Sequence, residues 1–516
     1  MTTQAGEVVG RPADEVAEAD VAVEPISPIS DPAGVQAALV ATLTTLKPVR
    51  PDVVRATPAF VPLRRGGRIL RSLDIEDKAK LYAFGVATAA IAQFWSHSWH
   101  GGTWTKVLML LIFNNGLASV CIGTIGSIVT VLLFWAFGPA PDDPKDPLDV
   151  MLCSMIASVL CASLTLFFWR PRHQVFLDQI CIHQAHMGLK TAGLISMPAI
   201  LKSSRSIVVC WDSTYMERAW CVFELGAFMK AHGENAQLII RPTFLGPCSI
   251  AFHTGVAAVL LVNLVTLYFF KVLDSSADSF IRLGILLIAI TSFMFMAVSA
   301  FRTYYLSVEE MRKQLKVFSV ENTVAHCCTQ QHKDASGKPI PICDKETISA
   351  CIVNWFGSIE TFNQRVQEKM QLALVPQLGY FSFSYSWMVA CSMPVLWAYF
   401  PKVAYAAFNE DWTFAAQQVF WIMAWWLGAL PIMTMSILAV SKVLSQRYAC
   451  CTNFLANLIA SWVVLPIYIG IELWLGFAST ILPTLVADVV YASTLIIIAV
   501  LLAIAMACCR RRVEGK

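Results

Sequence analysis

The chain has 516 residues, of which 57% are hydrophobic and only 14% are charged. A soluble globular protein carries about 25% charged residues, so the composition excludes a fully soluble protein and predicts several apolar spans. The net charge of +3 is too small to favour nucleic-acid binding, and we expect no nucleic-acid partner.

The N-terminal part of the chain is soluble in character. Residues 1–60 are rich in Ala, Val, Pro and acidic side chains without apolar periodicity, which predicts a disordered tail. In the following segment, 61–116, the apolar stretch at 80–93 is short. A bilayer crossing takes about 20 residues, so a buried core element is favoured over an additional span there. The residues 94–99 then predict a strand that ends in a polar loop.

Eight apolar runs are each long enough to cross a bilayer. They lie at 117–137, 150–169, 248–270, 283–301, 381–400, 417–440, 454–475 and 488–508. The segments that connect these runs alternate between two kinds along the chain. One kind holds nearly all the basic residues, and the other kind is short and holds only three lysines. The positive-inside rule therefore predicts a multi-pass protein in a lipid bilayer with both termini and every large loop cytosolic. The sequence does not identify which membrane this is.

The spans divide the rest of the chain. Two membrane hairpins and a block of four spans are separated by two soluble segments and followed by a basic tail. In chain order these are 117–169, 170–246, 247–301, 302–380, 381–508 and 509–516. The first soluble segment alternates strands with helices, which predicts a parallel sheet with right-handed crossovers. Its predicted elements are strands at 174–178, 206–211 and 236–241 and helices at 188–202 and 215–230.

A membrane hairpin returns the chain to the side on which it started. We therefore expect the strand at 94–98 to join the strands that follow the first hairpin. The predicted fold class is a helical membrane protein of about eight spans with a cytosolic α/β parallel-sheet domain that is split by that hairpin.

Several motifs in this domain occur in a specific order. They are FWSHS at 94–98, VFLD at 175–178, the buried strand SIVVCW at 206–211 and WCVFEL at 220–225. Together they resemble a Toll/interleukin receptor (TIR) domain, and the loop DQICIHQ at 178–184 resembles fungal heterokaryon-incompatibility domains. The resemblance implies a flavodoxin-like strand order. It departs from the family pattern because a fifth strand and a final helix are missing before the third span.

The resemblance also implies an activity. TIR-like glycohydrolases split NAD at the nicotinamide–ribose bond, and Glu224 matches their key carboxylate. A carboxylate suits this reaction, since loss of nicotinamide leaves an oxocarbenium-like centre that a negative charge stabilises. The residues expected to contact NAD lie at strand ends or on the same helix face as Glu224: Ser96, His97, Ser98, Asp178 and Trp220. Structural roles in the core or in turns are the alternative for each of them.

The second soluble segment contains a Cys/His cluster. Cys328, His332 and Cys343, together with either Cys327 or His326, can supply the four nitrogen and sulfur ligands that a tetrahedral zinc site needs. Ordinary reduced thiols are the alternative, because the spacing is irregular.

These features predict a membrane-bound signalling or sensor protein whose TIR-like domain self-associates or cleaves NAD. Two other classes stay open at this point. One is a non-enzymatic scaffold, and the other is a channel or transporter regulated by the domain.

Overall fold

The computed structural model of the protein describes residues 31–70, 75–138, 147–270, 276–334, 336–378, 383–446 and 450–514. Over these residues the chain is mainly helical and has one six-stranded sheet. The disorder predicted for residues 1–30 lies outside the described residues.

The first half of the chain contains all the strands. In chain order its elements are α1 (Pro32–Thr44), β1 (Arg55–Pro58), α2 (Phe60–Gly67), α3 (Ile75–Leu81), β2 (Val86–Ala87), β3 (Ile91–His97), α4 (Thr103–Phe137), α5 (Leu148–Phe168), β4 (Gln174–Phe176), α6 (Asp178–Cys181), α7 (Met187–Ile195), α8 (Met197–Lys202), β5 (Ser204–Trp211), α9 (Ala219–His232) and β6 (Leu238–Pro242).

The second half is helical. Its elements are α10 (Leu245–Phe270), α11 (Ser276–Lys316), α12 (His326–Thr329), α13 (Asp344–Phe356), α14 (Ile359–Leu378), α15 (Tyr385–Cys391), α16 (Pro394–Phe408), α17 (Trp412–Met423), α18 (Leu430–Val443), α19 (Cys450–Ile481) and α20 (Thr484–Glu514). A short π-helix, Ala424–Ala429, joins α17 to α18.

The sheet has the order β2-β1-β4-β3-β5-β6. The four strands β3, β4, β5 and β6 are parallel. They follow the predicted flavodoxin-like order, because β3, the first of the four in the chain, lies between β4 and β5. Phe94 on β3 is in register with Phe176 on β4, and their rings stack at 4.7 Å. The predicted pairing of the segments on either side of the first hairpin is therefore confirmed.

The predicted parallel strands continue into an antiparallel edge that was not predicted, and the prediction of a disordered tail was wrong for residues 32–60, which hold α1 and β1. The strand β1 pairs antiparallel with β4, and β2 pairs antiparallel with β1. The helix α1 packs on α7, α8 and α13, and the backbone N–H of Val49 donates to Ser196 Oγ at 3.0 Å. Tertiary contacts order this segment, which has no amphipathic pattern of its own.

Seven helices in the described part of the chain are long and apolar enough to cross a membrane. They are Thr103–Phe137, Leu148–Phe168, Leu245–Phe270, Phe280–Lys316, Trp412–Val443, Cys451–Ile481 and Thr484–Met506. The structure thus supports a membrane-embedded, multi-pass protein. The apolar stretch at 80–93, which folds into the end of α3, β2 and the start of β3, is not a span.

The predicted span at 381–400 is broken. Its described residues form α15 and α16, which meet at Ser392 and Met393. Pro394 begins α16, and a proline has no N–H to donate and a ring that crowds the carbonyl four residues earlier, which favours a break in the helix there. Neither piece is long enough to count as a span on its own.

The first hairpin is held together by small and polar side chains. Ser119 Oγ donates to the carbonyl of Ala162 at 2.7 Å, and Ser127 Oγ lies 2.8 Å from Ser154 Oγ. Small side chains let membrane helices approach closely, and hydroxyl groups bond across the contact. The hairpin is therefore a packed unit whose helices should move together.

Candidate functional site

The parallel strands end at one edge of the sheet. The chain leaves β3 for β4 on one side and later enters β5 on the other, so the C-terminal ends of β3 and β5 form a topological switch point. Open α/β sheets bind ligands in the crevice outside such strand ends. Side chains that follow these strands meet here and form the candidate site.

Ser96 connects β3 to the helix that follows β5. Its side chain is fully buried. Its Oγ donates to Glu224 Oε2 at 2.5 Å and lies 2.7 Å from the Tyr215 hydroxyl. Glu224 lies on α9, and Tyr215 lies in the 3-10 turn just before it. The structure therefore brings together Ser96 and Glu224, which were predicted from separate motifs, and adds Tyr215.

The Glu224 carboxyl has an altered acidity. Burial raises the pKa of Glu224 to about 8; the hydrogen bond from Ser96 opposes this shift, and the negative charge of Asp178 adds to it. A carboxyl group that titrates near neutral pH can exchange a proton or become an anion under physiological conditions. Such perturbed groups cluster at functional sites, although structural groups also show them.

Asp178, His97 and Trp99 form a second group beside Ser96. Asp178 follows β4, and its Oδ1 accepts from the Gln179 N–H at 2.8 Å, which is the turn-forming contact expected of a structural aspartate. Its Oδ2 accepts from Trp99 Nε1 at 3.2 Å. The His97 ring packs edge-on against Trp99, and burial lowers the pKa of His97, which favours the neutral imidazole.

A buried ion pair lies at the end of β5, and the sequence analysis did not find it. Lys106 Nζ, one turn into α4, lies 3.9 Å from Asp212 Oδ2 and donates to the carbonyl of Ser98. Asp212 Oδ1 accepts from the N–H of Thr214 at 2.9 Å and from its Oγ1 at 2.6 Å. Thr214 Oγ1 in turn lies 2.7 Å from Ser98 Oγ. A Cβ at Gly101 would lie 1.7 Å from Asp212 Oδ2, so any other residue here would displace the Asp212 carboxylate.

Two simple features of the sequence could have identified these residues. Asp212 directly follows the buried strand β5, as Asp178 follows β4, and Lys106 is a charged residue at the start of an otherwise apolar helix. The ion pair joins the first membrane helix to both strand ends of the candidate site.

Trp220 contacts a different part of the protein. Its indole Nε1 donates to Asp344 Oδ2 at 3.2 Å, at the start of α13. Next to it, the backbone of Val324 donates to the carbonyl of Glu217 at 2.7 Å and accepts from the N–H of Ala219 at 3.1 Å. The second soluble segment therefore docks on the start of α9, the helix that carries Glu224.

The Cys/His cluster lies at this docking point. The sulfur atoms of Cys327, Cys328 and Cys343 are 3.7–4.0 Å apart, which is too far for a disulfide bond. Ligand atoms of Cys327, His332 and Cys343 all lie within 4.8 Å of one another, so these three residues form a group that could hold a metal ion. Cys343 immediately precedes Asp344, the partner of Trp220.

The loop that carries His332 has an unusual backbone. Gln331 and His332 have φ values of 52° and 56°, in the left-handed region that non-glycine residues rarely adopt. The loop is closed by hydrogen bonds from the N–H of His332 to the Cys327 carbonyl at 2.8 Å and from the N–H of Ile340 to the His332 carbonyl. This conformation turns the chain back so that His332 lies beside the cysteines.

Comparisons with known proteins found no relative of this chain. No family model, curated protein or solved structure matches the chain.

Proposed function

We propose that the protein is a multi-pass membrane signalling or sensor protein whose TIR-like α/β unit cleaves NAD at the nicotinamide–ribose bond. In this proposal α15 and α16 cross the bilayer together as a broken eighth span, so that both termini are cytosolic. One observation carries the proposal. The carboxyl group of Glu224 lies against buried Ser96 at the switch point of the sheet, beside Asp178 and with a pKa raised to about 8.

The reaction needs few groups from the protein. The bond between the ribose C1′ and the nicotinamide nitrogen breaks, and nicotinamide leaves as a neutral molecule with the electron pair. The ionised Glu224 carboxylate stabilises the positive charge that develops on the ribosyl group. Water then adds to C1′, and its proton passes to the carboxylate, so that ADP-ribose and nicotinamide are the products.

The neighbours of Glu224 have supporting roles in this scheme. Ser96 donates to the carboxylate and fixes its orientation, and the Tyr215 hydroxyl holds the Ser96 hydroxyl in place. Burial is the main cause of the high pKa of Glu224, and the negative charge of Asp178 raises it further. Asp178 therefore tunes the fraction of the protein in which Glu224 is ionised.

Purified full-length protein in lipid nanodiscs, incubated with NAD, tests the proposal. We expect nicotinamide and ADP-ribose to appear in equal amounts, as measured by chromatography. Absence of both products from folded, monodisperse protein would favour a non-enzymatic scaffold that assembles through the α/β unit. The oligomeric state of the same sample distinguishes that alternative.

The rate of nicotinamide release is expected to rise with pH. Because the pKa of Glu224 is about 8, only about one-tenth of the carboxyl groups are ionised at pH 7. The rate should increase about tenfold per pH unit below pH 8 and level off above it, once spontaneous alkaline hydrolysis of NAD is subtracted. The kcat/KM between pH 6 and pH 9.5 measures this.

Asp178→Asn provides the control for the pH profile. Removal of its negative charge should lower the pKa of Glu224 and shift the midpoint to lower pH. A flat profile, or a midpoint that does not move in this variant, would contradict the assigned role of Glu224.

We propose further that the Cys/His cluster binds zinc and has a structural role. With Zn–S bonds of about 2.3 Å, a tetrahedral site holds its sulfur atoms about 3.8 Å apart. The three cysteine sulfurs lie at 3.7–4.0 Å, and His332 is the nearby nitrogen ligand. A metal here would stabilise the segment that holds the start of α9 through Asp344 and Trp220.

Metal analysis by mass spectrometry should find one zinc ion per chain. Cys343→Ser should lose most of it, whereas Cys351→Ala, which changes a buried cysteine on α13 outside the cluster, should keep it. Structural zinc contributes about 10–16 kcal/mol to folding of zinc-finger peptides, so chelation should make the loop at 326–343 sensitive to protease. Equal zinc content in both variants would contradict the assignment.

A further inference from the structure

A partly open apolar cavity lies among the candidate membrane helices, outside the α/β unit. The cavity has a volume of about 240 Å³ and is lined by residues of α10, α11, α16, α17, the π-helix, α18 and α19. Its walls are aliphatic and aromatic, apart from Asn263, Tyr399 and Tyr468.

Irregular backbone forms one wall of the cavity. Val395 and Tyr399 follow the break between α15 and α16, and Trp425 lies in the π-helix. The two irregular segments are bonded to each other, since Trp426 Nε1 donates to the Val389 carbonyl at 2.9 Å. Such backbone at membrane depth occurs where it is buried in protein or lines a cavity, and π-helices are frequent at functional sites.

The cavity has one polar end. Asn263 lines it and donates from Nδ2 to the Tyr399 hydroxyl at 2.9 Å. Asn263 Oδ1 accepts from Arg282 at 3.3 Å. The Nε of Arg282 is buried and has no hydrogen-bond partner among the described residues. A buried N–H of a half-buried guanidinium group is costly to leave without an acceptor in an apolar setting, and an anionic ligand would accept from it.

The volume limits what the cavity can hold. An apolar protein cavity of about 150 Å³ takes one benzene molecule of six carbons, so this one has room for about ten carbons. The fused rings and side chain of a sterol exceed that size, whereas one acyl chain with its end outside the cavity does not. We propose that the cavity binds the acyl chain of a single-chain lipid whose anionic head group lies at the Asn263 and Arg282 end.

Photo-crosslinking of full-length protein in nanodiscs tests this site. The probes are a fatty acid and a lysophosphatidic acid that carry the same diazirine-bearing chain, with an uncharged monoacylglycerol as the third arm. We expect crosslinks on peptides that contain the lining residues Leu260 and Ile290, from at least one anionic probe and much less from the uncharged one. The stronger anionic arm distinguishes a carboxylate head group from a phosphate.

Matched variants separate cavity binding from general lipid contact. Ile290→Trp fills the cavity and should abolish the crosslinks, whereas Ile288→Trp, an exposed position on the same helix, should leave them unchanged. Arg282→Gln should weaken labelling by the anionic probes about tenfold. If Ile290→Trp does not fold, Val259→Phe replaces it. Equal labelling of the two tryptophan variants, or equal labelling by all three probes, would overturn the proposal.

Discussion

Replacement of Glu224 with glutamine is expected to lower kcat/KM for nicotinamide release by about 10²–10³-fold, the usual loss when one stabilising group is removed from a transition state. Glutamine keeps the size of the side chain and still hydrogen-bonds to Ser96, but it cannot carry the negative charge that the ribosyl cation requires. The exposed Glu217, just before α9, gives the matched control, and Glu217→Gln should keep its activity. A Glu224→Gln protein with the wild-type rate would refute the role of this carboxylate.

The same variant has a separate signature in stability. The folded protein holds the Glu224 proton more tightly than the unfolded chain, because the pKa is about 8 in the fold and near its ordinary value when unfolded. Wild-type stability should therefore fall as pH rises from about 4.5 to about 8. Glu224→Gln removes this dependence, so it should gain stability relative to the wild type at pH 9. Thermal unfolding at pH 6 and pH 9 measures the difference independently of catalysis.

Lys106→Met is expected to destabilise the α/β unit by about 3 kcal/mol, since loss of one partner leaves the other charge buried and unpaired. The side chains of Lys106 and Asp212 are only 5% and 8% exposed, so water cannot replace the missing lysine. Adding Asp212→Asn to the variant should recover part of the loss by removing that charge. Denaturant unfolding, detected by limited proteolysis, measures the free energy of unfolding of each variant.

An exposed lysine provides the comparison for this experiment. Lys202→Met lies at the end of α8 and should change stability by less than about 0.5 kcal/mol. If Lys106→Met behaves like Lys202→Met, the ion pair does not hold the sheet to α4. Lys106 also donates to the carbonyl of Ser98, so a movement of the first membrane helix would shift the end of β3. We therefore expect Lys106→Met to alter the rate of NAD cleavage as well.

The strand pairing was predictable because its signals are local and strong. The run at 206–211 is apolar throughout, as a strand buried on both faces requires, and the structure extends it to Ser204–Trp211. The hairpin argument placed Phe94 and Phe176 on one side of the bilayer, and the sheet pairs them. Only the ends of the strands differed, by one to three residues.

The antiparallel edge could not be predicted in this way. The strands β1 and β2 have four and two residues, too few to show an alternating pattern. The helix α1 has apolar residues on most of its surface and gains its order from contacts with α7, α8 and α13. Such long-range contacts leave no periodic signal in the sequence.

The site was predictable only in part. Ser96 and Glu224 came from motifs, and the structure joins them through one hydrogen bond. Tyr215 and Lys106 carry no motif, and their partners lie 119 and 106 positions away in the chain, at Ser96 and Asp212. Trp220 was expected at the ligand, but its indole nitrogen bonds to Asp344, which no local pattern indicates.

The pairing of β3 with β4 also affects how the protein is made. During synthesis on the ribosome β3 emerges before both helices of the first hairpin, and its neighbours β4 and β5 emerge only after them. The central strand of the sheet therefore has to wait for its partners until both helices of the hairpin have been synthesised.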